Sequence, residues 1–478
     1  MEITRNLAIK SFIWKFLERS GAQVITFIVT IILARLLLPE EYGVIALITI
    51  FINICNVIVD GGLNTALIQK QHADDKDFST IFYFSLLTAF GLYGILFLCA
   101  PYVSLFYNIP ILTDVLRVLG INLLFFAVNS IQRAYVAKHM LFSKLCYSSL
   151  IAALVSGTLG IVSAYNGYGV WALVIQSVSV NLLSCIIMWV TIKWRPVLTF
   201  AFERFLSLFD FGWKIFLANL ITVVFVEIRK VFIGRLYSPS DLAYYDKGEQ
   251  FPSLIMNNLF TSMQTVLLPT FSAYQDDKTK VKNMMRRSTK LSCFIIYPLM
   301  VGLIVVAEPL VRLLLTDKWI AIVPFIQIMC IANFFRPITI SNWEAIKALG
   351  YSGITLKLEV IKKIADVIIL LFTLKLGVHA IAWGVVLFNF ICIFINLAPT
   401  VKLLNYKILE QLRDAIPSLL LSILMGCIIY LFKLIIVSDL TLLIIQVISG
   451  ILVYIFLCFI FKEESFTYTL KLVKEKVN

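Results

Sequence analysis

The chain has 478 residues, of which 60% are apolar, 13% aromatic and 14% charged, and its mean hydropathy is +0.93. A soluble domain is about half apolar and about a quarter charged. The composition therefore excludes a soluble enzyme, a secreted disulfide scaffold or a nucleic-acid-binding protein for the whole chain. Apolar runs of the length that spans a bilayer recur up to Phe461, and their continuity excludes a transmembrane β-barrel. The sequence predicts an all-α polytopic membrane protein.

Fourteen transmembrane helices are predicted in chain order. They lie at about 20–38, 43–59, 80–106, 112–132, 145–165, 169–192, 211–234, 250–271, 291–315, 320–343, 356–376, 378–400, 415–437 and 440–461. The even number places both termini on one side of the membrane. Thirty of the 41 Lys and Arg residues fall on that side, so the positive-inside rule predicts cytoplasmic termini. Most of the net charge of +13 then reflects topology.

The remaining local features give no sign of a metal site, a cleaved signal or a soluble catalytic domain. The nine cysteines lie in or beside apolar runs without a CxxC pair, so we expect small buried side chains and no metal site. The N-terminal segment 1–21 lacks a short apolar core followed by a small-residue cleavage site, so we expect no cleaved signal. The longest polar stretch, 273–290, is too short for a catalytic domain, and its basic residues are expected at the anionic inner-leaflet surface.

Three short motifs recur in the second half of the chain at a shift of about 200 residues. The matching segments are 34–41 (ARLLLPEE) with 234–241 (GRLYSPSD), 12–15 (FIWK) with 211–214 (FGWK), and 169–173 (GVWAL) with 377–381 (GVHAI). Because these motifs bracket six helices, an even number, the two copies are expected to insert the same way up. The predicted architecture is a parallel repeat about an axis along the membrane normal.

The repeat divides the chain into four predicted parts. These are an N-terminal six-helix lobe (1–192), an interfacial connector (193–210), a C-terminal six-helix lobe (211–400), and two extra helices with a cytoplasmic tail (401–478). In transporters, repeats of this kind enclose a site near the midplane and provide alternating access to it.

The motifs that carry a family resemblance are ARLLLPEEYGVIAL (34–47), DGGLNTALIQ (60–69), GVWAL (169–173), IGRLYSPSDLAYYDKGEQF (233–251), LLPTFSAYQDD (267–277) and the Ala307–Leu310 turn with Lys318-Trp319. On their combination, over nearly the whole chain, the sequence resembles the polysaccharide transporter family of the multidrug/oligosaccharidyl-lipid/polysaccharide exporter superfamily. Within that family it is similar to exporters of O-antigen, colanic-acid and teichuronic-acid repeat units. The second half departs from the first at 242–245, where Glu-Tyr-Gly has no full counterpart.

The resemblance implies a secondary-active flippase of the bacterial cytoplasmic membrane. It would move polyprenyl-pyrophosphate-linked oligosaccharide repeat units outward for lipopolysaccharide O-antigen, capsule or exopolysaccharide assembly. The implied partners are that lipid-linked glycan, the bilayer with its anionic inner leaflet, and glycan polymerase or assembly proteins. No nucleic acid, cofactor or catalytic residue is expected.

Carrying a pyrophosphate through hydrocarbon requires cations that face a hydrated cavity, because an intramembrane charge is costly elsewhere. Arg229, Lys230 and Arg336 are the predicted cavity cations, and Pro337 can break the helix beside Arg336. Arg35 and Arg235 are further substrate-binding candidates; the alternative is that each is a snorkelling interface anchor. The predicted cavity is therefore cationic.

Three residues are candidates for ion coupling or gating. Glu227 lies three residues before Lys230, so the alternative is a structural ion pair within one helix turn. Asp60 and Asn64 flank a Gly-Gly turn, for which the alternative is a turn and helix cap. Amides in or beside the spans have two possible uses, contact with sugars or contact between helices: Asn122, Asn129, Gln132, Asn181, Asn219, Asn257, Asn258, Gln264, Gln327, Asn333, Asn342 and Asn389.

Three other functions remain open at this stage. A multidrug exporter of the same superfamily would favour carboxylates over cations in its cavity. An integral-membrane glycan polymerase or transferase usually has a substantial outer loop, and the largest here is about 235–249. A structural partner in a biosynthetic complex would not require intramembrane arginines. The sequence has no GxxxxGK[ST] motif, so we expect no ATP binding by a P-loop.

Overall fold

A computed structural model describes residues 5–477 of the chain. This part of the chain is 87% helical and contains no strand. Its α-helices, numbered α1 to α18 in chain order, are Arg5–Leu36, Pro39–Asp60, Leu63–Gln69, Asp75–Tyr107, Leu112–Gly120, Asn122–Lys138, Phe142–Tyr165, Val170–Thr191, Phe202–Leu236, Pro239–Ser272, Lys278–Leu315, Val323–Asn333, Arg336–Ala348, Ser352–Thr373, Val378–Leu404, Ile408–Leu431, Asp439–Ile460 and Glu464–Val477. Short 3-10 turns lie at Asp317–Ile322 and Phe432–Leu434.

Eleven helical stretches within the described residues are long and apolar enough to cross a membrane. This confirms the prediction of a polytopic helical membrane protein. Some of these stretches combine two helices, as α2 with α3 and α5 with α6 do. The predicted spans 211–234, 250–271 and 356–376 lie on α9, α10 and α14, outside the eleven. The count of fourteen spans stays a prediction.

Packing divides the chain into two compact units, one ending at Ala243 and one beginning at Tyr244. In the first unit α9 packs against α2 and α3, and glycines make this approach possible. A Cβ atom on Gly234 would lie 2.1 Å from Leu47 Cδ2, and one on Gly62 would lie 2.3 Å from the carbonyl oxygen of Gly212. Compactness therefore groups α9 with the N-terminal helices. The lobe boundaries predicted from the repeat are a different division and stay a prediction.

The connector after α8 is helical over its second half, because α9 begins at residue 202 and runs without interruption into the predicted span. Its first half contacts the start of α4: the Val197 amide donates a hydrogen bond to the Ser79 hydroxyl at 2.9 Å. Arg204, in the first turn of α9, pairs with Asp74 and lies 3.3 Å from the buried carboxylate of Asp77. The hydrogen bond from Arg204 holds the pKa of Asp74 at about 2.

The two copies of the Arg-Leu and Pro-acid motif form the same corner. In each copy a long helix ends directly after the arginine, and the next helix begins with the proline. The Glu41 carboxylate accepts a hydrogen bond from the Leu38 amide at 2.7 Å, and the Asp241 carboxylate accepts one from the Ser238 amide at 3.2 Å. The acidic residue at the third position of the helix thus caps the N-terminus of α2 and of α10.

The polar stretch 273–290 between two predicted spans is mostly helical, because α11 begins at Lys278 and continues for 38 residues. At 1.5 Å per residue the helix is about 57 Å long, against a hydrocarbon thickness of about 30 Å. The basic run is therefore a helical extension of a membrane span. Asp277 caps this helix by accepting a hydrogen bond from the Lys280 amide at 2.9 Å.

Candidate substrate-binding site

A cationic pocket of about 290 Å³ lies within the second unit, lined by residues of α10, α13, α14 and α15. Arg336, Lys362 and Lys363 all line it. Glu359 also lines it and is paired with Lys362 at 2.5 Å between Nζ and Oε1. Three cations thus share the pocket with one carboxylate. Cationic side chains that line a pocket in this way suit an anionic ligand group such as a phosphate.

Aromatic and amide side chains complete the lining of this cationic pocket. Lys362 Nζ lies 4.3 Å from the ring centroid of Trp343, and Arg336 Cζ lies 5.3 Å from that of Phe260. Asn396 is only 5% exposed, and its Oδ1 atom accepts no hydrogen bond from the described residues. A buried polar atom without a partner costs about 1–3 kcal/mol, so a ligand hydroxyl at this position would be stabilising.

A break in the helical backbone places Arg336 at the pocket. Helix α12 ends at Asn333, and α13 begins at Arg336 with Pro337 in its first turn. Proline is favoured there because the amide it lacks would have no partner within the helix. The predicted break beside Arg336 is therefore present. The half-buried guanidinium donates to Asn333 Oδ1 at 3.4 Å, and the arginine lines the pocket.

Sequence reasoning missed the two lysines and the tryptophan of the pocket. Lys362 and Lys363 lie within the eleventh predicted span, 356–376, but the charge count included both among the Lys and Arg residues on the side of the termini. The structure places both well inside α14. A usable signal was present, because five charged residues fall within three turns of this predicted span: Lys357, Glu359, Lys362, Lys363 and Asp366. Such a run is typical of a helix with one polar face.

A second polar cluster lies in the first unit, around Glu227 on α9. Glu227 is 5% exposed and accepts a hydrogen bond from Asn53 Nδ2 of α2 at 2.8 Å. Lys230 Nζ lies 3.8 Å from Glu227 Oε2, so the predicted contact one helix turn apart is present. Arg229 is half-buried on the same helix. Asn53 was not predicted, and its place beside Glu227 depends on the packing of α2 against α9.

The Asp60 and Asn64 candidates form a turn between α2 and α3. Gly61 and Gly62 both have positive φ, at +55° and +69°, which only glycine adopts readily. Asn64 Nδ2 donates to Asp60 Oδ1 across this turn. The residues thus form the predicted turn, but no side chain of the described residues caps the start of α3, and a gating role stays a prediction.

Arg35 and Arg235 lie at the C-terminal ends of α1 and α9, and both side chains are exposed. Arg235 Cζ lies 5.0 Å from the ring centroid of Phe106. An exposed arginine against an aromatic ring at a helix end is typical of an interface anchor. Their predicted role in substrate binding stays untested. Within residues 5–477, no three His, Cys, Asp or Glu side chains are placed to share a metal ion.

A family model described as "Polysaccharide biosynthesis protein" matches residues 32–324, more than half of the chain. The chain belongs to this family. The match includes most of the motifs on which the resemblance to polysaccharide exporters was drawn, and that resemblance is confirmed.

Three curated relatives have names that refer to the biosynthesis of polysaccharides or lipopolysaccharide. The chain is 23% identical to the succinoglycan biosynthesis transport protein ExoT of Rhizobium meliloti (strain 1021), over 69% of this chain and 66% of ExoT. It is 22% identical to the teichuronic acid biosynthesis protein TuaB of Bacillus subtilis (strain 168), over 62% and 61%. It is 21% identical to the lipopolysaccharide biosynthesis protein WzxC of Escherichia coli (strain K12), over 69% and 68%. The chain thus spans slightly less than two thirds of the first two relatives.

Two solved structures share the fold. The lipid II flippase MurJ in an inward closed conformation superposes with a TM-score of 0.71 at 17% identity, covering 96% of this chain and 99% of MurJ. An inward-facing multidrug resistance MATE family transporter of the MOP superfamily superposes with a TM-score of 0.60 at 15% identity, covering 81% and 98%. The chain therefore has the fold that MurJ and the MATE transporters share.

Proposed function

We propose that this protein is a flippase that moves polyprenyl-pyrophosphate-linked oligosaccharide repeat units outward across the bacterial cytoplasmic membrane by alternating access. The product of this step supplies surface polysaccharide assembly. The protein is a transporter and catalyses no covalent step. The cationic pocket of the second unit is the observation that carries the proposal.

The chemistry of the pocket matches the two polar parts of such a substrate. Arg336, Lys362 and Lys363 supply positive charge for a pyrophosphate, and charge-assisted hydrogen bonds of this kind are about twice as strong as neutral ones. The faces of Trp343 and Phe260 offer stacking surfaces for sugar rings. The unpartnered Oδ1 of Asn396 accepts a hydrogen bond from a sugar hydroxyl.

The helices α9, α10 and α14 support the same proposal. They are the three long helices whose predicted spans lie outside the eleven apolar stretches, and each contains polar or charged side chains within its predicted span. A helix of this composition is unfavourable against lipid and suits the wall of a hydrated passage. In our proposal Arg229 and Lys230 are substrate-binding cations of the first unit, and Arg35 and Arg235 are further candidates at the ends of α1 and α9.

Glu227 is the proposed coupling residue. Its carboxylate is buried and contacts both Asn53 and Lys230, so protonation or cation binding there would change contacts on two helices. Asp60 and Asn64 are proposed gating residues of the turn between α2 and α3. We place both termini in the cytoplasm, as the distribution of Lys and Arg favours.

The alternative functions fit the pocket less well. A multidrug exporter that takes cationic compounds needs an excess of carboxylates, whereas this pocket holds three cations and one carboxylate. A glycan polymerase or transferase needs acidic and basic catalytic groups outside the membrane. The predicted outer segment 235–249 lies almost entirely on α10, which leaves little room for them.

A reconstituted assay tests the proposal. The full chain is placed in liposomes that contain a fluorescent pyrophosphate-linked oligosaccharide, and the fraction accessible to a membrane-impermeant quencher is followed over time. We expect protein-dependent translocation that the double variant Lys362→Ala/Lys363→Ala loses. Lys375→Ala is the matched control, since this exposed lysine follows α14 and lies outside the pocket. Equal translocation in liposomes without protein would contradict the proposal.

A further inference from the structure

A second basic pocket, of about 460 Å³, lies between α11 and α18 within the second unit. Arg286, Arg287 and Lys290 of the α11 extension line one side, and Tyr468 of α18 lines the other. None of these residues belongs to the cationic pocket described above. The proposed transport function does not use them.

The charges of this basic pocket are only partly neutralised. Arg286 makes a bidentate contact with Asp414, at 2.7 and 2.8 Å, and Lys290 pairs with both Asp414 and Glu464. The Arg287 guanidinium lies 3.2 Å from the ring centroid of Tyr468 and pairs with no carboxylate among the residues that the structure describes. Three cations face two carboxylates, so the pocket keeps an excess positive charge at Arg287.

An apolar groove of about 640 Å³ adjoins the basic pocket. It runs between α10 and α11, and the two cavities share Arg287, Leu291 and Tyr468. Val266, which is 62% exposed, belongs to the apolar part of the groove. A polar cavity with excess positive charge thus continues directly into an apolar channel.

We propose that this composite cavity is a binding site for one anionic membrane phospholipid. Its phosphate headgroup lies against Arg287 at the mouth of the basic pocket, and an acyl chain lies along the groove past Val266. Free phosphate would occupy the basic pocket alone. A zwitterionic lipid would gain little binding free energy from the unneutralised Arg287. The bound lipid would contact α10, α11 and α18 together. Its assignment to the inner leaflet rests on the proposed orientation, and the binding itself does not.

Native mass spectrometry of the full-length protein after delipidation tests the site, with dioleoylphosphatidylglycerol as the probe. We expect one tightly retained lipid, and an affinity about fivefold weaker in Arg287→Ala, the effect typical of one cation at an anionic lipid surface. Lys280→Ala is the matched control, because this lysine is on the same helix, lies 3.5 Å from the ring centroid of Tyr274 and does not line the pocket. Val266→Trp, which fills the groove, should also weaken binding.

Three outcomes would overturn the proposal. Equal losses in Lys280→Ala and Arg287→Ala would mean diffuse attraction to a basic surface. Equal retention of dioleoylphosphatidylcholine would mean that the groove holds ordinary boundary lipid. Full displacement of the lipid by inorganic phosphate, with Val266→Trp unchanged, would mean a phosphate pocket without a lipid chain. This experiment contains no glycan, so a negative result would not bear on the proposed transport function, which the liposome assay tests separately.

Discussion

Replacing Arg336 by alanine removes one of the three cations of the cationic pocket and leaves the break between α12 and α13 in place, because Pro337 is unchanged. A hydrogen bond to a charged group contributes about 1.5–3 kcal/mol, so transport of a pyrophosphate-linked substrate should fall about ten- to hundredfold. The cost to folding should be smaller, about 1 kcal/mol, since the side chain contacts Phe260 and Asn333 only through a cation–π contact and a long hydrogen bond. Transport by Arg336→Lys should be intermediate, because lysine keeps the positive charge but lacks the planar guanidinium that donates two parallel hydrogen bonds.

The assay is complementation of cells from which the gene is deleted, with surface glycan measured relative to the amount of inserted protein. Arg117→Ala is the control variant: this half-buried arginine lies 4.4 Å from the Phe97 ring centroid and belongs to the first unit, outside the pocket. We expect near-normal glycan with Arg117→Ala. Normal glycan with Arg336→Ala, or an equal loss in both variants at equal protein levels, would refute the reasoning.

Three further predictions concern the first unit. Gly62→Ala should lower the melting temperature more than Gly61→Ala. Both residues have positive φ, but the added Cβ would lie 2.3 Å from the Gly212 carbonyl oxygen at Gly62 and 3.7 Å from the Ile58 carbonyl oxygen at Gly61; equal losses would contradict this. Cysteines at positions 35 and 235 should react from the same side of the membrane, and labelling from opposite sides would exclude the parallel repeat. The pKa of Asp74 is about 2, below its ordinary value of about 3.9. The ionised Asp74 carboxylate therefore stabilises the folded state above about pH 4, and this contribution is lost as the pH falls towards 2. Asp74→Asn should flatten the stability curve in that range, and an unchanged curve would exclude this contribution.

The features that local chemistry determines were predictable from the sequence. The Arg-Leu and Pro-acid motif forms the same capped corner twice, because proline and an acid at the third position favour a helix start wherever they occur. Gly169 and Gly377, matched in the repeat, both precede a helix with positive φ, at +55° and +104°. The backbone break at Arg336 followed from Pro337 in the same way.

The cationic pocket was only partly predictable, because it depends on how distant helices pack. The charge count placed Lys362 on the side of the termini, and only the packing of α14 against α13 brings it into the same pocket as Arg336. Amides show the same difficulty. Asn342 donates to Gln411 Oε1 at 2.7 Å inside a buried network, whereas the Asn396 Oδ1 atom is buried without a partner. Nothing in the sequence separates the two uses.

The helical extension of α11 before residue 291 was not predicted, although the sequence carries a signal for it. The stretch from Lys278 to Lys290 contains no glycine or proline, is preceded by Asp277 as a capping residue, and is rich in residues of good helix propensity. The predicted span 291–315 covered only the apolar part of the helix, which is the part that the bilayer requires. A helix that leaves the membrane keeps its own hydrogen bonds and can continue in water.

The most direct test of the central claim is the leaflet that the lipid-linked repeat unit occupies when the protein is absent. The gene is deleted with glycan synthesis left intact, and the accumulating intermediate is probed from each side of the cytoplasmic membrane. We predict accumulation on the cytoplasmic side, reversed by the wild-type chain and not by Lys362→Ala/Lys363→Ala. Accumulation on the outer side would mean that flipping is intact without this protein, and would contradict the proposed function.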